Sequence, residues 1–230
     1  MVLKKWENIP EVMQNDSVRK YYDILQKKSF QLIIKRIFDF CLSLILIVIL
    51  SPLLLIIAVI IKLDSKGPVF FRQVRVTTYN KRFKIFKFRT MTEDAEKFGT
   101  KVTVNNDKRI TKAGHFLRKY RLDELPQLFN IILGGDMSFV GTRPEVPRYV
   151  GRYTDEMMAT LLMPAGITSE ASIIYKDEEK LLSDADDVDL VYVRDILPEK
   201  MKYNLNSLKG FSLMNDIKVM LWTVKAVFYK

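Results

Sequence analysis

The sequence predicts an α+β protein, mostly helical, in which an apolar membrane segment is joined to a small domain with one β-hairpin and amphipathic surface helices. Three observations predict it. Residues 40–61, FCLSLILIVILSPLLLIIAVII, carry no charge. Two stretches rich in aromatic and β-branched residues, 67–76 and 81–91, flank a polar turn at Thr78–Asn80. Beyond residue 109, apolar residues recur at helical spacing.

The N-terminal residues 1–34 read as an appendage. Within them DSVRKYYDILQKK, residues 16–28, offers Asp16 or Ser17 as a helix cap. Val18, Tyr21, Tyr22 and Leu25 then share one face, suited to the membrane surface or to the domain. The uncharged run follows, and as a helix it is long enough to cross about 30 Å of hydrocarbon. Lys35 and Arg36 precede it while Lys62 and Lys66 follow, so the flanking charge sets no orientation. Ser51-Pro52 stands near its middle. Proline removes a backbone donor and clashes with the preceding turn, and the serine can satisfy a freed carbonyl. A kinked spanning helix and a re-entrant helix-break-helix both satisfy these residues.

The hairpin is strongly cationic: Lys84, Lys87 and Arg89 interleave with Phe83, Ile85, Phe86 and Phe88. Of the net charge of +10, the whole basic excess lies in residues 62–121. Anionic lipid headgroups, a phosphorylated substrate and nucleic acid are the partner classes this charge admits. Nucleic acid is disfavoured, because the aromatics occupy core-like positions and no nucleic-acid module signature is present. A helix is expected through TKAGHFLRKY and another from Asp123 through DELPQLFNIIL, with Pro126 in its first turn and Leu125, Leu128, Phe129 and Ile132 on one side. GGDMSFVGTRPEVPRYV, residues 134–150, reads as loop. Helices are expected at 154–162, 174–182, 186–196 and 213–228, the last being amphipathic, and the acidic stretch 177–199 as a solvated face.

The single cysteine, Cys41, excludes an internal disulfide, and the single histidine, His115, excludes a multi-histidine metal site. Any metal must be a hard ion on oxygen ligands. Asp123 and Glu124 are therefore the residues of interest. Locally they suit a helix start, as cap and as complement to the helix dipole. The same place suits chemistry. Adjacent residues at a helix start diverge by about 100°, so one carboxylate can face a phosphorus while its neighbour binds a metal. Carboxylates act as nucleophiles towards phosphate, provided Arg, Lys or Mg2+ neutralises the phosphate charge.

In order along the chain stand KRIFDF (35–40), Ser51-Pro52 in the apolar run, GPVFFRQVRV (67–76), FKIFKFRTM (83–91), RITKAGHFLRKYRLDELPQLFN (109–130) and GDMSFVGTRPE (135–145). Together they resemble the bacterial sugar transferases of the monotopic phosphoglycosyl transferase family, closely over about residues 33–150 and loosely beyond. The resemblance implies a re-entrant helix-break-helix over residues 35–62, broken at Ser51 and Pro52, and a cytoplasmic catalytic domain over 63–230 at the bacterial inner membrane. It implies transfer of a phosphosugar from a UDP-sugar to undecaprenyl phosphate with release of UMP, which initiates polysaccharide or glycoconjugate synthesis. Asp123 matches the nucleophile that forms a covalent phosphosugar intermediate, and Glu124 matches a residue that helps hold Mg2+. Arg118 and Arg143 are then the leading phosphate-binding candidates, followed by Lys87 and Arg89, then Arg75 and Gln73, because guanidinium groups match phosphate oxygens. Asp136 is a candidate to organise the site or join the metal shell.

PAGITSEASI, residues 164–173, stands where the family commonly has Pro-Gly-hydrophobic-Thr-Gly-x-Ala-Gln, and the Asn-Gly-Arg that often follows is absent. That region is associated with nucleotide-sugar handling. Two other readings accommodate parts of the sequence: a membrane-tethered basic binding protein without catalysis, and a single-span, metal-dependent glycosyltransferase using the Asp-x-Asp at 187–189. The oligomeric state is not legible.

Overall fold

The computed structural model describes residues 2–92, 109–182 and 187–228. Its longer helices are α1 (Asp16–Lys27), α2 (Ser29–Asp64), α3 (Lys112–Lys119), α4 (Gln127–Leu133), α9 (Leu197–Lys209) and α10 (Leu213–Phe228). Four single-turn segments lie between: α5 (Pro147–Val150), α6 (Glu170–Ile174), α7 (Glu178–Leu181) and α8 (Val188–Val191). The strands are β1 (Phe70–Thr77), β2 (Lys81–Phe88), β3 (Met137–Val140) and β4 (Ala165–Thr168). The fold is α+β and mostly helical.

β1 and β2 form the expected antiparallel hairpin, with Phe70 opposite Phe88 and Thr77 opposite Lys81. Tyr79 and Asn80 take the left-handed backbone conformation that closes the polar turn. One hairpin face supplies Phe83 and Ile85 to a core with Leu128, Ile131, Met137 and Phe139. Residues 137–140, expected as loop, instead pair with 165–168 in a parallel two-stranded sheet. The backbones nearly touch where β4 passes the end of β3: a Cβ on Gly166 would lie 2.2 Å from the Gly141 carbonyl oxygen. A glycine is required there because a side chain would meet backbone, which cannot turn aside.

The N-terminal segment, expected as an appendage, shares a core with the domain. Val18, Tyr21, Tyr22 and Leu25 are the buried residues of α1, and they pack with Leu161, Leu162, Leu205 and Leu208. The helix is capped one residue earlier than expected, by Asn15, whose side chain accepts from the Val18 N–H at 2.9 Å.

No gap interrupts α2 at Ser51-Pro52; a single helix of 36 residues runs through Pro52. The expected serine contact is present, Ser51 Oγ donating to the Val48 carbonyl at 2.9 Å. This helix is long and apolar enough to cross a membrane. Both halves nevertheless touch the domain. On the N-terminal side Arg36 donates to the Ile131 and Met137 carbonyls, and Lys35 Nζ lies 2.6 Å from Asp216 of α10. On the C-terminal side Ile57 and Ile61 pack against Phe88 and Leu117.

The helix expected at 213–228 matches α10. Residues 197–209 carry a helix that the expected elements did not include, while 154–162 is a short 3-10 segment from Met157 to Leu162 and 192–196 a π-helical turn. Of the acidic stretch 177–199, residues 183–186 lie outside the described residues.

Candidate active site

The pair is presented by a sharp reversal of the chain. Thr111 caps α3 through its side chain, which accepts from the Gly114 N–H. Gly114 lets the helix lie against the end of the hairpin, since a Cβ there would sit 2.1 Å from the Thr90 carbonyl oxygen. Beyond α3, Arg121 adopts a left-handed conformation (φ 54), which is uncommon for a residue with a side chain. The chain then makes a 3-10 turn over Leu122–Glu124 before α4 begins at Gln127. Asp123 is thus not the N-cap of an α-helix, as sequence reasoning expected. Pro126 takes that position.

Glu124 is 7% exposed and held by several cations. Lys87 Nζ lies 2.9 Å from its Oε1, and Arg143 clasps both oxygens, at 2.5 Å to Oε1 and 3.3 Å to Oε2. Arg121 stands 3.9 Å from Oε2. Burial on its own would raise the Glu124 pKa, but Arg143 and Lys87 outweigh it and hold the carboxyl well below its usual range. Asp123 moves the other way: burial and the neighbouring Glu124 charge raise it, against Lys87, Arg118 and Arg143. The cations act most directly on Glu124, which Lys87 and Arg143 contact at 2.9 and 2.5 Å.

Asp123, Glu124, Lys87, Arg118 and Arg143 line one wall of a cleft of about 1930 Å³. Leu46 and Leu50 of α2 line it as well, with Val224, Ala226 and Val227 of α10. The lining thus combines a mostly cationic set of side chains with apolar residues of α2 and α10. Such a cleft admits a ligand with a charged head and a long hydrocarbon tail.

The remaining candidates divide. Arg75 donates to the Pro144 carbonyl at 3.2 Å and to Gln73 Oε1 at 2.7 Å, so both residues brace the segment that carries Arg143. Arg89 is 6% exposed, and its Nη2 donates to Ser65 O at 2.6 Å and Ser65 Oγ at 3.0 Å. It caps the C-terminal end of α2 and makes no contact with the acidic pair. Asp136 pairs with Lys81 at 2.7 Å near the hairpin turn and does not line the cleft, so the structure does not bring it to the pair. Asp187 caps α8 through Oδ1, and Asp189 is engaged by Tyr149 and Arg148, so both carboxylates of the 187–189 motif have protein partners in a short helical turn, and neither lines the cleft.

Sequence reasoning missed a second polar cluster. Tyr192 donates to Glu145 Oε1 at 2.5 Å, and Lys200 lies 2.8 Å from Glu178 Oε2 and 4.0 Å from Glu145 Oε1. Glu145 follows Arg143 by two positions, and Arg-Pro-Glu in GTRPEVP was its signal.

Among the described residues, no three His, Cys, Asp or Glu side chains form a metal cage. Mg2+ does not need one, because it is commonly held by one or two carboxylates together with substrate phosphates. Asp123 and Glu124 are two hard oxygen donors lining the cleft, of the type Mg2+ takes.

The model of the bacterial sugar transferase family matches residues 30–230. The chain is 36% identical over 197 residues to a UDP-N-acetylgalactosamine-undecaprenyl-phosphate N-acetylgalactosaminephosphotransferase of Aeromonas hydrophila, covering 84% of this chain and 43% of that protein. It is 35% identical over 212 residues to an undecaprenyl-phosphate glucose phosphotransferase of Komagataeibacter xylinus, covering 88% of this chain and 38% of that protein. A putative undecaprenyl-phosphate N-acetylgalactosaminyl 1-phosphate transferase of Bacillus subtilis (strain 168) is 40% identical over 136 residues, covering 59% and 75%. The chain spans less than half the length of the first two relatives.

Proposed function

The chain belongs to the bacterial sugar transferase family, and from that premise we propose that it transfers a sugar phosphate from a UDP-sugar to undecaprenyl phosphate, releasing UMP and initiating glycan assembly. The observation that carries the reading is geometric: Asp123 and Glu124 share one cleft with Lys87, Arg118 and Arg143, with Lys87 and Arg143 in direct contact with Glu124, and the same cleft is lined by apolar residues of α2 and α10. The relatives' names point to the same lipid acceptor.

Asp123 is the nucleophile. Its carboxylate attacks the phosphorus bearing the sugar, the bond to the bridging oxygen breaks, and UMP departs with that oxygen. The lipid phosphate then attacks the aspartyl phosphate, the bond to Asp123 breaks, and the carboxylate is restored. Arg118 and Arg143 bind phosphate oxygens through both steps. Glu124 keeps Arg143 and Lys87 aimed at them, so little rearrangement is required when charge moves. Asp123 and Glu124 would hold Mg2+, which supplies further neutralisation of phosphate charge.

Both flanks of α2 lie at one membrane face in this reading, as in a re-entrant segment. Support comes from the contacts that Arg36 and Lys35 on one side of Pro52, and Ile57 and Ile61 on the other, make with the same domain. The domain faces the cytoplasm, where nucleotide sugars are found.

Intact-protein mass spectrometry tests the chemistry. The purified protein is incubated with Mg2+ and a panel of UDP-sugars, without lipid. A phosphosugar adduct is expected on the native chain, absent from Asp123→Asn and discharged by undecaprenyl phosphate. UMP release that requires lipid and passes through no adduct would overturn the nucleophile assignment.

A further inference from the structure

The cleft has lining residues that the phosphate chemistry leaves unused, among them Arg148, Tyr149, Lys176, Glu178 and Tyr192. Glu178 is partly exposed there and opens the single turn α7. One of its oxygens, Oε2, is fixed by Lys200 Nζ at 2.8 Å. Lys200 is 4% exposed and is itself held in place, donating to Tyr192 Oη at 3.3 Å beside the buried Glu145. A lysine this deeply buried is costly unless paired, and here its pairing fixes the direction of a carboxylate at the edge of the cleft. Glu145 links the arrangement to Arg143 through two peptide bonds, and the Arg143 guanidinium lies within electrostatic reach of Glu178.

Resting on the UDP-sugar reading, we propose that Glu178 is a specificity-determining residue that accepts hydrogen bonds from hydroxyl groups of the donor's sugar. The chemistry selects that part of the ligand. A carboxylate repels phosphates, which belong with Arg118, Arg143 and Lys87, and it accepts well from hydroxyls. With Lys200 on Oε2, Glu178 keeps lone pairs for a second partner. Sites built to pair a substrate hydroxyl reject analogues that lack or misplace it far better than apolar pockets reject size changes.

Glu178→Gln tests this, because it keeps shape while removing the charge. Binding of UDP and of four UDP-sugars (glucose, galactose and their N-acetylamino counterparts) is measured by calorimetry, with each protein also carrying Asp123→Asn so that no turnover intrudes. The ratio of affinities between the preferred sugar and its 4-epimer should fall about 10-fold or more, with UDP alone unaffected. Glu178→Asp, which withdraws the carboxylate from the cleft, should also alter the ratio, and it serves if the Gln variant is unstable. An equal loss for every donor and for UDP would mean that the pair with Lys200 is structural or that Glu178 reads the nucleotide, and either overturns the proposal. Absence of UDP-sugar binding by the otherwise native chain would overturn the donor reading itself, a result distinct from an unchanged ratio.

Discussion

Glu124 is the residue on which the candidate site turns, because it organises three cations while staying almost fully buried. Glu124→Gln would leave the Arg143 guanidinium buried against a neutral amide. Breaking a buried pair from one side costs about 3–5 kcal/mol, and the retained amide oxygen places the expected loss near the lower end, read as a lowered melting temperature. The sign with pH follows from the depressed Glu124 pKa. Its contribution to stability is complete above the ordinary glutamate value of 4.5 and declines as pH falls from there towards the depressed value. Melting temperatures recorded in EDTA should therefore lose an acid limb below 4.5 in Glu124→Gln, and an unchanged limb would show that the clasp is not what titrates. The sequence placed the acidic pair among cations but not the duty of each cation. Arg89 looks like Lys87 on a strand; only the fold shows that its guanidinium is taken up by the end of α2. Asp136 misled for the same reason, since Lys81 lies far from it in sequence and close to it in space.

At the level of elements, legibility depended on whether the buried face is apolar. The hairpin, α10 and the buried face of α1 have regular apolar spacing and were readable. α9 escaped because two of its buried positions are polar, Lys200 and Asn204, which breaks its apolar stripe. β3 and β4 escaped because each has four residues, too few to establish an alternation. Their sheet is nonetheless exacting. Gly166→Ala would drive a Cβ into the Gly141 backbone, and overpacking of this kind costs about 1–3 kcal/mol, again measurable as a lower melting temperature. For α2, single cysteines placed at Ser29 and Lys62 in a Cys41→Ser background should label from the same side of sealed vesicles. Labelling from opposite sides would make α2 a true crossing and remove the re-entrant reading.

For the whole molecule, the N-terminal helix is part of the core and not an attachment to it. Leu25 is 0% exposed within the cluster that joins α1 to α9, and Leu25→Ala should cost about 2–5 kcal/mol, visible as a destabilised domain and not merely a freed tail. A mobile tail would leave the melting temperature unchanged. The composition announced a cationic domain beside an apolar helix; it did not announce that one cleft reaches from the cations to the flanks of α2 and α10. That continuity sets how the reaction should be counted. Under the proposed function, a lipid acceptor entering along those helix faces is supplied by lateral diffusion, so its effective concentration is a surface density. Adding inert detergent at constant total enzyme and acceptor should slow turnover in proportion to the falling mole fraction of acceptor in the micelle, while the dependence on the soluble sugar nucleotide continues to follow bulk molarity.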